Sequence, residues 1–305
     1  MQELSRIPTP EPQGEAAAHV PVLLSEAVDG LSLSPDACVY DGTLGAAGHT
    51  RAILALLGSA GRLFASDRDG DALKLARTIA DPRLTLLHAD FGDVLEHPET
   101  HLPHGTRFDA MLFDLGISSR QIDPRSGRGF SFQALNDLLD MRMDTRQPLT
   151  AQTILNEWEY EDLKRIFYTY GEERYAPHIA ERIVEARAQE PLTTVGQLNA
   201  LLKSHPKRVY QALRIAVNDE LGSLERMLRS FPDRLNPGGR CAIIAFHSLE
   251  DRMVKHAFKD SPKLGVITKR PITPGEMELA SNPRSRSAKL RVAERIQTDD
   301  KAIDL

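Results

Sequence analysis

The sequence predicts an α/β fold in which a parallel sheet is interrupted by an all-helical subdomain, and two observations lead to this prediction. Through the first third of the 305 residues, short apolar runs alternate with helical patterns. Such alternation is typical of a parallel sheet with helices on both faces. From about residue 134 to 208 the patterns are helical only, and strand-like runs return from Arg240 onward. One α/β domain with a helical insert accounts for both observations.

The elements of the first third follow from the apolar runs and one helix cap. Strands are predicted at about 38–41, 62–67, 84–89 and 110–114. Helices are predicted near 49–57 and 69–80, and Asp69 is a suitable N-cap for the second of them.

Local patterns also predict the elements of the insert and of the chain that follows it. In the insert, helices are predicted over 151–169 and 176–189, and a third begins at Thr194, because Thr194 and Gln197 have the spacing of a capping box. After the insert, the sequence predicts a long helix over 209–229, a turn at 236–239, a strand over 240–246 and a helix over 249–259. Further strands are predicted near 265–268 and 289–294. The predicted domains are a disordered tail at 1–18, a sheet domain at 19–133 and 209–305, and an inserted helical domain at 134–208.

The composition is that of a globular protein, with 41% hydrophobic and 27% charged residues. The net charge of −5 argues against a protein that coats nucleic acid by bulk attraction. The Pro- and Glu-rich start resembles neither a secretory signal nor a membrane anchor, and no apolar run approaches about 20 residues. Cys38 and Cys241 are expected to be buried apolar side chains rather than a disulfide. We therefore expect a cytoplasmic protein without membrane contact.

The most informative segment is Asp41-Gly-Thr-Leu-Gly-Ala-Ala-Gly-His49, in which three glycines at a spacing of three join a strand to a helix. Glycine permits a positive φ and a close approach of backbone to a ligand. Asp67 ends the next strand at the distance along the chain where a carboxylate meets ribose hydroxyls. Asp41 at the strand end favours S-adenosylmethionine, whose sulfonium and amino groups attract carboxylates, over a nicotinamide dinucleotide. A nicotinamide-dependent oxidoreductase stays as the alternative on these residues.

Further polar residues follow other predicted strands: Asp90-Phe91, Asp114-Leu-Gly-Ile-Ser-Ser119 and Phe246-His-Ser-Leu-Glu-Asp-Arg252. Because ligands of such sheets bind beyond the carboxyl ends of the strands, these segments are expected to meet at one rim with the glycine turn and Asp67.

Together these motifs make the chain resemble the bacterial small-subunit ribosomal RNA cytosine N4-methyltransferase family (RsmH, also called MraW). Further matching segments begin at His19, Arg128, Leu139, Tyr170, Gln211 and Asn282, so that the likeness extends from about residue 19 to 295. The resemblance implies a Rossmann-like, S-adenosylmethionine-dependent methyltransferase. Its implied substrate is the exocyclic amine of one cytidine, cytosine 1402, in the decoding region of 16S RNA, with the assembled small ribosomal subunit as partner.

Three departures from the family pattern stand out. Ala47 replaces a usual glycine, Arg120 stands where proline is common, and the loop after Phe132 lacks the usual Gly-Pro turn and has one extra residue. Ala47 is expected to be tolerated unless its position needs a positive φ.

By the resemblance, the cofactor is held by Ala47, Gly48, His49, Asp67, Phe91, Asp114 and Gln121, to which the residue pattern adds Asp41 and Asp90. Phe91 is expected against the adenine face, and Asp90 as an acceptor for the adenine amine. Asp114 is the first candidate for the catalytic acceptor, because the N4 lone pair is delocalised and a carboxylate would stabilise charge growing on the amine. Its alternatives are a cap for the following turn or, with Gln121, a contact to the methionine part.

His247 is a second catalytic candidate, for a hydrogen bond to base or phosphate, with a purely structural histidine as its alternative. Asp251 and Arg252 are expected to pair with each other. No cluster of ligands has metal spacing, and methyl transfer needs no metal, so none is expected.

The basic carboxyl-terminal stretch is the predicted RNA contact. Between Lys263 and Arg295 there are eight Lys or Arg residues and three acids, and Arg284, Arg286, Lys289 and Arg291 lie close together within it. The alternative is that these cations fix the segment to the sheet through Glu250 or Asp251. A non-enzymatic RNA-binding assembly factor stays as the third function class.

Overall fold

A computed structural model describes residues 21–123, 126–202 and 206–297. The tail predicted at 1–18 lies outside the described residues. No helix in the described ranges is long and apolar enough to cross a membrane.

Within the described residues the sheet has seven strands, in the order β3-β2-β1-β4-β5-β7-β6. In chain order they are β1 (Cys38–Asp41), β2 (Arg62–Ser66), β3 (Leu84–Leu87), β4 (Phe108–Asp114), β5 (Leu235–Ala245), β6 (Leu264–Val266) and β7 (Lys289–Arg295). The first five are mutually parallel, and β7 runs antiparallel to both β5 and β6. The order reverses between β1 and β4, which is where ligands of doubly wound sheets bind. The predicted α/β class is confirmed.

Helices cover the sheet and form the insert. Those before the insert are α1 (Leu24–Leu31), α2 (Gly48–Leu56), α3 (Gly70–Ala76), α4 (Phe91–Glu96), α5 (Pro98–His101) and α6 (Ser119–Ile122). The insert holds α7 (Ala151–Glu157), α8 (Tyr160–Thr169), α9 (Ala176–Arg187) and α10 (Val195–Leu201). After it come α11 (Pro206–Asn218), α12 (Glu220–Arg234), α13 (Ser248–Asp260) and α14 (Glu276–Ser281), followed by a 3-10 helix over Pro283–Ser287.

The helix predicted over 151–169 is in fact two helices. Trp158 and Glu159 are extended at the break. The Arg187 guanidinium donates hydrogen bonds to the carbonyls of Leu155 and Trp158, at 2.9 and 2.7 Å. A cation from α9 thereby satisfies carbonyls that the end of α7 leaves free.

The long helix predicted over 209–229 is also divided, at Asp219, whose φ is +47°. The Asn218 side chain stabilises the break. Its amide donates to the carbonyls of Met141 and Arg214, and its oxygen accepts from the amide of Met143. The residues predicted as a turn at 236–239 lie inside β5 and form a bulge there. Phe108 of β4 pairs with Leu235, whereas Ala110 pairs with Arg240, so the register between the two strands shifts across these residues.

The buried side chains form one cluster in the helical region and others on the two faces of the sheet. The helical cluster extends from Phe130 to Val217, so α11 packs with the insert. The predicted boundary at residues 208 and 209 therefore falls within a helix, and the division into domains stays a prediction.

Candidate functional site

A cavity lies beyond the carboxyl ends of the parallel strands, at the point where the strand order reverses. Eight of the residues predicted for the site line it: Gly48, His49, Asp67, Asp90, Phe91, Asp114, Gln121 and Arg284. Six others lie outside its lining: Asp41, Ala47, His247, Arg286, Lys289 and Arg291. The lining also includes Phe246 directly after β5, Glu250 of α13, and Glu220 and Leu224 of α12.

The glycine turn between β1 and α2 forms one wall. Gly45 has φ +50° and Ala47 has φ +62°. Position 47 therefore does adopt a positive φ, a conformation that glycine takes without strain and alanine does not. A Cβ on Gly48 would overlap the ring of Pro21. The turn therefore depends on small residues both for its backbone conformation and for its packing against the start of the described chain.

Asp41 lies beneath this turn and is fully buried. Its two carboxylate oxygens accept from the Thr43 amide at 3.1 Å and from the Thr50 hydroxyl at 2.6 Å. Thr43 in turn accepts a 2.6 Å hydrogen bond from the Asp114 amide. Burial raises the pKa of Asp41. These contacts favour a positioning role for Asp41, and the predicted direct contact with the cofactor stays a prediction.

Asp67 links the turn to α3. Its carboxylate accepts from the amides of Gly45 and Asp69, both at 2.8 Å. Burial raises its pKa to about 6, although both amides lower it. The Asp67 side chain lines the cavity, and its hydrogen bonds connect the glycine turn with the start of α3.

Asp90 and Phe91 follow β3, where Asp90 caps α4. The Asp90 carboxylate accepts from the Gly92 amide at 2.9 Å, from the Ser223 hydroxyl and from the Arg68 guanidinium. Because these donors already occupy the carboxylate, its geometry favours a structural network over the predicted acceptance from an adenine amine. Phe91 presents an aromatic wall to the cavity and packs edge-to-face on Phe113 at 5.6 Å.

Arg68 is a residue of the site that was not predicted from the sequence. It lines the cavity, pairs with Asp90 and donates to the carbonyl of Asn218 at the break between α11 and α12. No local pattern reveals this role, because both partners are distant in sequence.

Asp114 ends β4 and lines the cavity. Its Oδ1 is buried and has no hydrogen-bond partner of ordinary geometry among the described residues. Its Oδ2 lies 3.8 Å from Nδ1 of His49. Burial raises the pKa of Asp114 to about 7, the nearby Asp41 and Glu250 charges reinforce the rise, and the Gly116 amide opposes it.

His49 is neutral near pH 7, because burial lowers its pKa to about 4. Its Nε2 lies 3.2 Å from the Val22 carbonyl, so the ring proton belongs on Nε2 and the Nδ1 lone pair faces Asp114. An acceptor on His49 thus faces a carboxyl group that titrates near neutral pH.

Gln121 is buried and organises the loop after Asp114. Its oxygen accepts from the Ser118 amide, and its amide donates to Asp69, both at 2.9 Å. Arg128 also binds Asp69, at 2.7 Å. The loop is thereby tied to the start of α3.

His247 caps α13. Its Nδ1 accepts from the Glu250 amide at 3.4 Å, and a Glu250 oxygen accepts from the Phe246 and His247 amides at 2.8 and 3.3 Å. This reciprocal capping favours the structural alternative for His247, and its catalytic role stays a prediction.

Glu220, His247 and Glu250 have potential ligand atoms within 4.8 Å of one another, a group that sequence spacing did not indicate. Both Glu220 oxygens, however, accept from Arg214 at 2.8 and 2.9 Å. Glu220 is therefore satisfied by an ion pair, whereas Nε2 of His247 is buried, lies 3.1 Å from Oε1 of Glu250 and has no hydrogen-bond partner of ordinary geometry among the described residues.

The basic carboxyl-terminal residues separate into two groups. Arg284 and Arg286 are exposed, and Arg284 lines the cavity. Lys289 and Arg291 instead pair with Asp251, at 3.0 and 2.7 Å, and Arg291 is buried. For these two the structure shows the alternative, fixation of the segment to the sheet, and the RNA contact predicted for Arg291 is not compatible with its burial.

The pairing predicted between Asp251 and Arg252 is wrong, because Arg252 pairs with Glu172 of the insert at 3.3 Å.

The fold and the residues that line the cavity fit one class of protein, the Rossmann-like methyltransferases that use S-adenosylmethionine. Comparison with known sequences places the chain in one family of that class. A profile of the MraW methylase family matches residues 16–296, and the chain belongs to this family. The nicotinamide-dependent alternative is thereby excluded.

Two relatives are each named "Ribosomal RNA small subunit methyltransferase H". The protein of Cyanothece sp. is 46% identical over 291 residues, covering 91% of this chain and 95% of the relative. That of Paenibacillus sp. is 44% identical over 315 residues, covering 91% and 99%. A crystal structure of an rRNA methylase from Streptococcus thermophilus aligns with a TM-score of 0.43 at 14% identity, covering 92% of this chain and 100% of that one.

Proposed function

We propose that the protein transfers a methyl group from S-adenosylmethionine to the N4 amine of a cytidine in 16S ribosomal RNA, cytosine 1402 in the family that the sequence resembles. The names of relatives at 44–46% identity support small-subunit ribosomal RNA as the substrate. The observation that carries the choice of an amine is Asp114, whose carboxyl group lines the cavity and lacks a hydrogen-bond partner for Oδ1 among the described residues.

The cavity suits the cofactor. Asp67 offers acceptors to the ribose hydroxyls, Phe91 an apolar face to the adenine, and the small residues of the glycine turn allow close approach of the chain. Gln121 shapes the loop on the other side of the ligand, and Asp41 supports the turn from below. The bound cofactor supplies a methyl group activated by its sulfonium.

Asp114 would act on the amine. As a carboxylate it accepts a hydrogen bond from N4–H, which directs the amine lone pair toward the methyl group and stabilises the positive charge that grows on nitrogen. It would also receive the proton that the methylated amine releases, because its pKa of about 7 suits reversible proton uptake near neutral pH. Positioning of the two reactants contributes as well, on the order of 7–11 kcal/mol in favourable intramolecular cases.

The target nucleotide must leave its stack to enter the cavity, which costs a few kcal/mol. Arg284 lies at the cavity and Arg286 is exposed nearby in the 3-10 helix. We assign these two to RNA phosphates, and Lys289 and Arg291 to support of the segment through Asp251.

Methylation of small subunits isolated from a strain that lacks the protein tests this proposal. Labelled methyl groups should enter 16S RNA of subunits with the native target cytidine and should not enter subunits in which this nucleotide is uridine. Free 16S RNA serves as a second substrate, to distinguish recognition of RNA from recognition of the assembled particle. Label in the uridine-bearing subunits would assign another target. Binding of cofactor and subunit without any transfer would instead support the assembly-factor alternative.

A further inference from the structure

The cavity contains more carboxylates than cations. Asp67, Asp114 and Glu250 line it, and Asp41 lies directly below its glycine turn. Among the residues that the structure describes, none of these four carboxylates forms an ion pair with a lysine or arginine. Carboxyl groups that no described lysine or arginine neutralises therefore surround the ligand region, and a positively charged ligand favours their ionised form.

The buried arginines nearby do not correct this imbalance, because each is paired elsewhere. Arg68 pairs with Asp90, Arg128 with Asp69, and Arg214 with Glu220. Arg284 also lines the cavity, but it is exposed to solvent, and its charge is therefore screened.

Glu250 is the member of this group for which the methyltransferase reaction has so far given no role. It is buried in the first turn of α13. The Phe246 and His247 amides hold one of its oxygens, so the carboxylate cannot turn away from the cavity without loss of the cap. It follows β5, which pairs with β4, the strand that Asp114 ends.

The two forms of the cofactor differ in charge at one atom. S-adenosylmethionine carries a positive sulfonium, whereas the product after methyl transfer is a neutral thioether. A fixed excess of carboxylates stabilises the first form and not the second.

We propose that Glu250 is a specificity-determining residue that, together with Asp114, makes the cavity bind the sulfonium donor more tightly than its thioether product. The same charge then favours exchange of spent cofactor for fresh cofactor. This inference concerns the cofactor alone and does not depend on which nucleotide is methylated.

Calorimetric titration of the protein with S-adenosylmethionine and with S-adenosylhomocysteine tests the proposal. The wild-type protein should prefer the sulfonium ligand by about tenfold or more, the effect of one unit charge at several ångströms in a partly screened site. Glu250→Gln keeps the capping oxygen and removes the charge, so it should lower the affinity for the sulfonium ligand about tenfold and change that for the thioether less than threefold.

Glu294→Gln is the matched control, because it removes the same charge from β7. Glu294 pairs with Arg240, which lies in β5 at the end away from the ligand edge of the sheet. This variant should leave both affinities unchanged. Equal affinities of the wild-type protein for the two ligands would overturn the proposal without any variant. An unchanged ratio in a folded Glu250→Gln protein would overturn it too. Failure to bind either ligand would instead count against the cofactor site itself.

Discussion

Replacement of Asp114 by asparagine probes the proposed chemistry most sharply. Asparagine keeps the shape and one acceptor oxygen, and its amide can face the Nδ1 lone pair of His49, which lies 3.8 Å from the carboxylate. The fold should therefore survive. What is lost is the negative charge that stabilises the developing ammonium and the group that takes up its proton.

The expected loss is about 10²-fold or more in the transfer rate, the scale of one preorganised electrostatic group, which corresponds to about 2.7 kcal/mol. The assay is a single-turnover measurement with saturating cofactor and small subunits, accompanied by calorimetry of cofactor binding. A rate within threefold of wild type would refute the catalytic role. If the variant binds the cofactor more weakly and its rate returns to that of wild type at a saturating cofactor concentration, Asp114 is assigned to cofactor binding.

The pH dependence gives a second readout of the same residue. Because the pKa of Asp114 is raised to about 7, the wild-type rate should rise about tenfold per pH unit below pH 7 and level off above it. The rate of the Asp114→Asn variant should not show this rise with pH.

The raised pKa of Asp114 also means that the folded state favours the protonated acid. The contribution of Asp114 to the free energy of unfolding is thus most favourable below about pH 4 and is lost as the pH rises through 7. Asp114→Asn should accordingly gain stability relative to wild type between these values.

Three further predictions follow from the site. Asp67→Ala should weaken S-adenosylmethionine binding at least tenfold, about 1.5–3 kcal/mol, and unchanged calorimetric affinity in a folded variant would remove Asp67 from the site. The double variant Arg284→Ala, Arg286→Ala should weaken subunit binding and flatten its salt dependence by about one slope unit per lost phosphate contact, whereas Arg291→Ala should lower the melting temperature and leave the slope intact. Ala47→Gly should change the free energy of unfolding by less than about 1 kcal/mol, because relief of the positive φ offsets the lost methyl burial and the added chain entropy; a larger loss in thermal denaturation would contradict this.

The sheet and its rim of carboxylates could be predicted because they rest on local signals. Alternation of apolar runs with helical patterns gives parallel strands, and parallel strands bring their carboxyl ends to one edge. Asp41 and Asp114 end their strands, Asp67 directly follows β2, and Asp90 comes three residues after β3, so the topology alone brings them together. The cap at Asp90, which begins α4, has the sequence signature of a helix start, and attention to it would have revealed that this carboxylate serves its own helix.

The features that could not be predicted depend on partners far away in the chain. The break at Asp219 is stabilised by contacts of Asn218 with Met141 and Met143, more than 70 positions earlier. For Lys289 and Arg291 the sequence left both an RNA contact and fixation through Asp251 open, and only the fold, which places Asp251 against them, decides between the two. Arg68 looks like a surface cation until its pairing with Asp90 is known. In each case the polar residue is evident from the sequence, whereas the fold supplies its partner.

The most direct test of the central claim is to locate the transferred methyl group by mass spectrometry. Small subunits from a strain lacking the protein are incubated with it and with S-adenosylmethionine that carries a trideuterated methyl group, and the 16S RNA is digested to nucleosides. Trideuterated N4-methylcytidine is the expected labelled product, and it should form about 10²-fold more slowly when Asp114→Asn replaces the wild-type protein under the same single-turnover conditions. Label on cytosine C5 or on a ribose 2′-oxygen would contradict the proposed role of Asp114 as an acceptor for an amine.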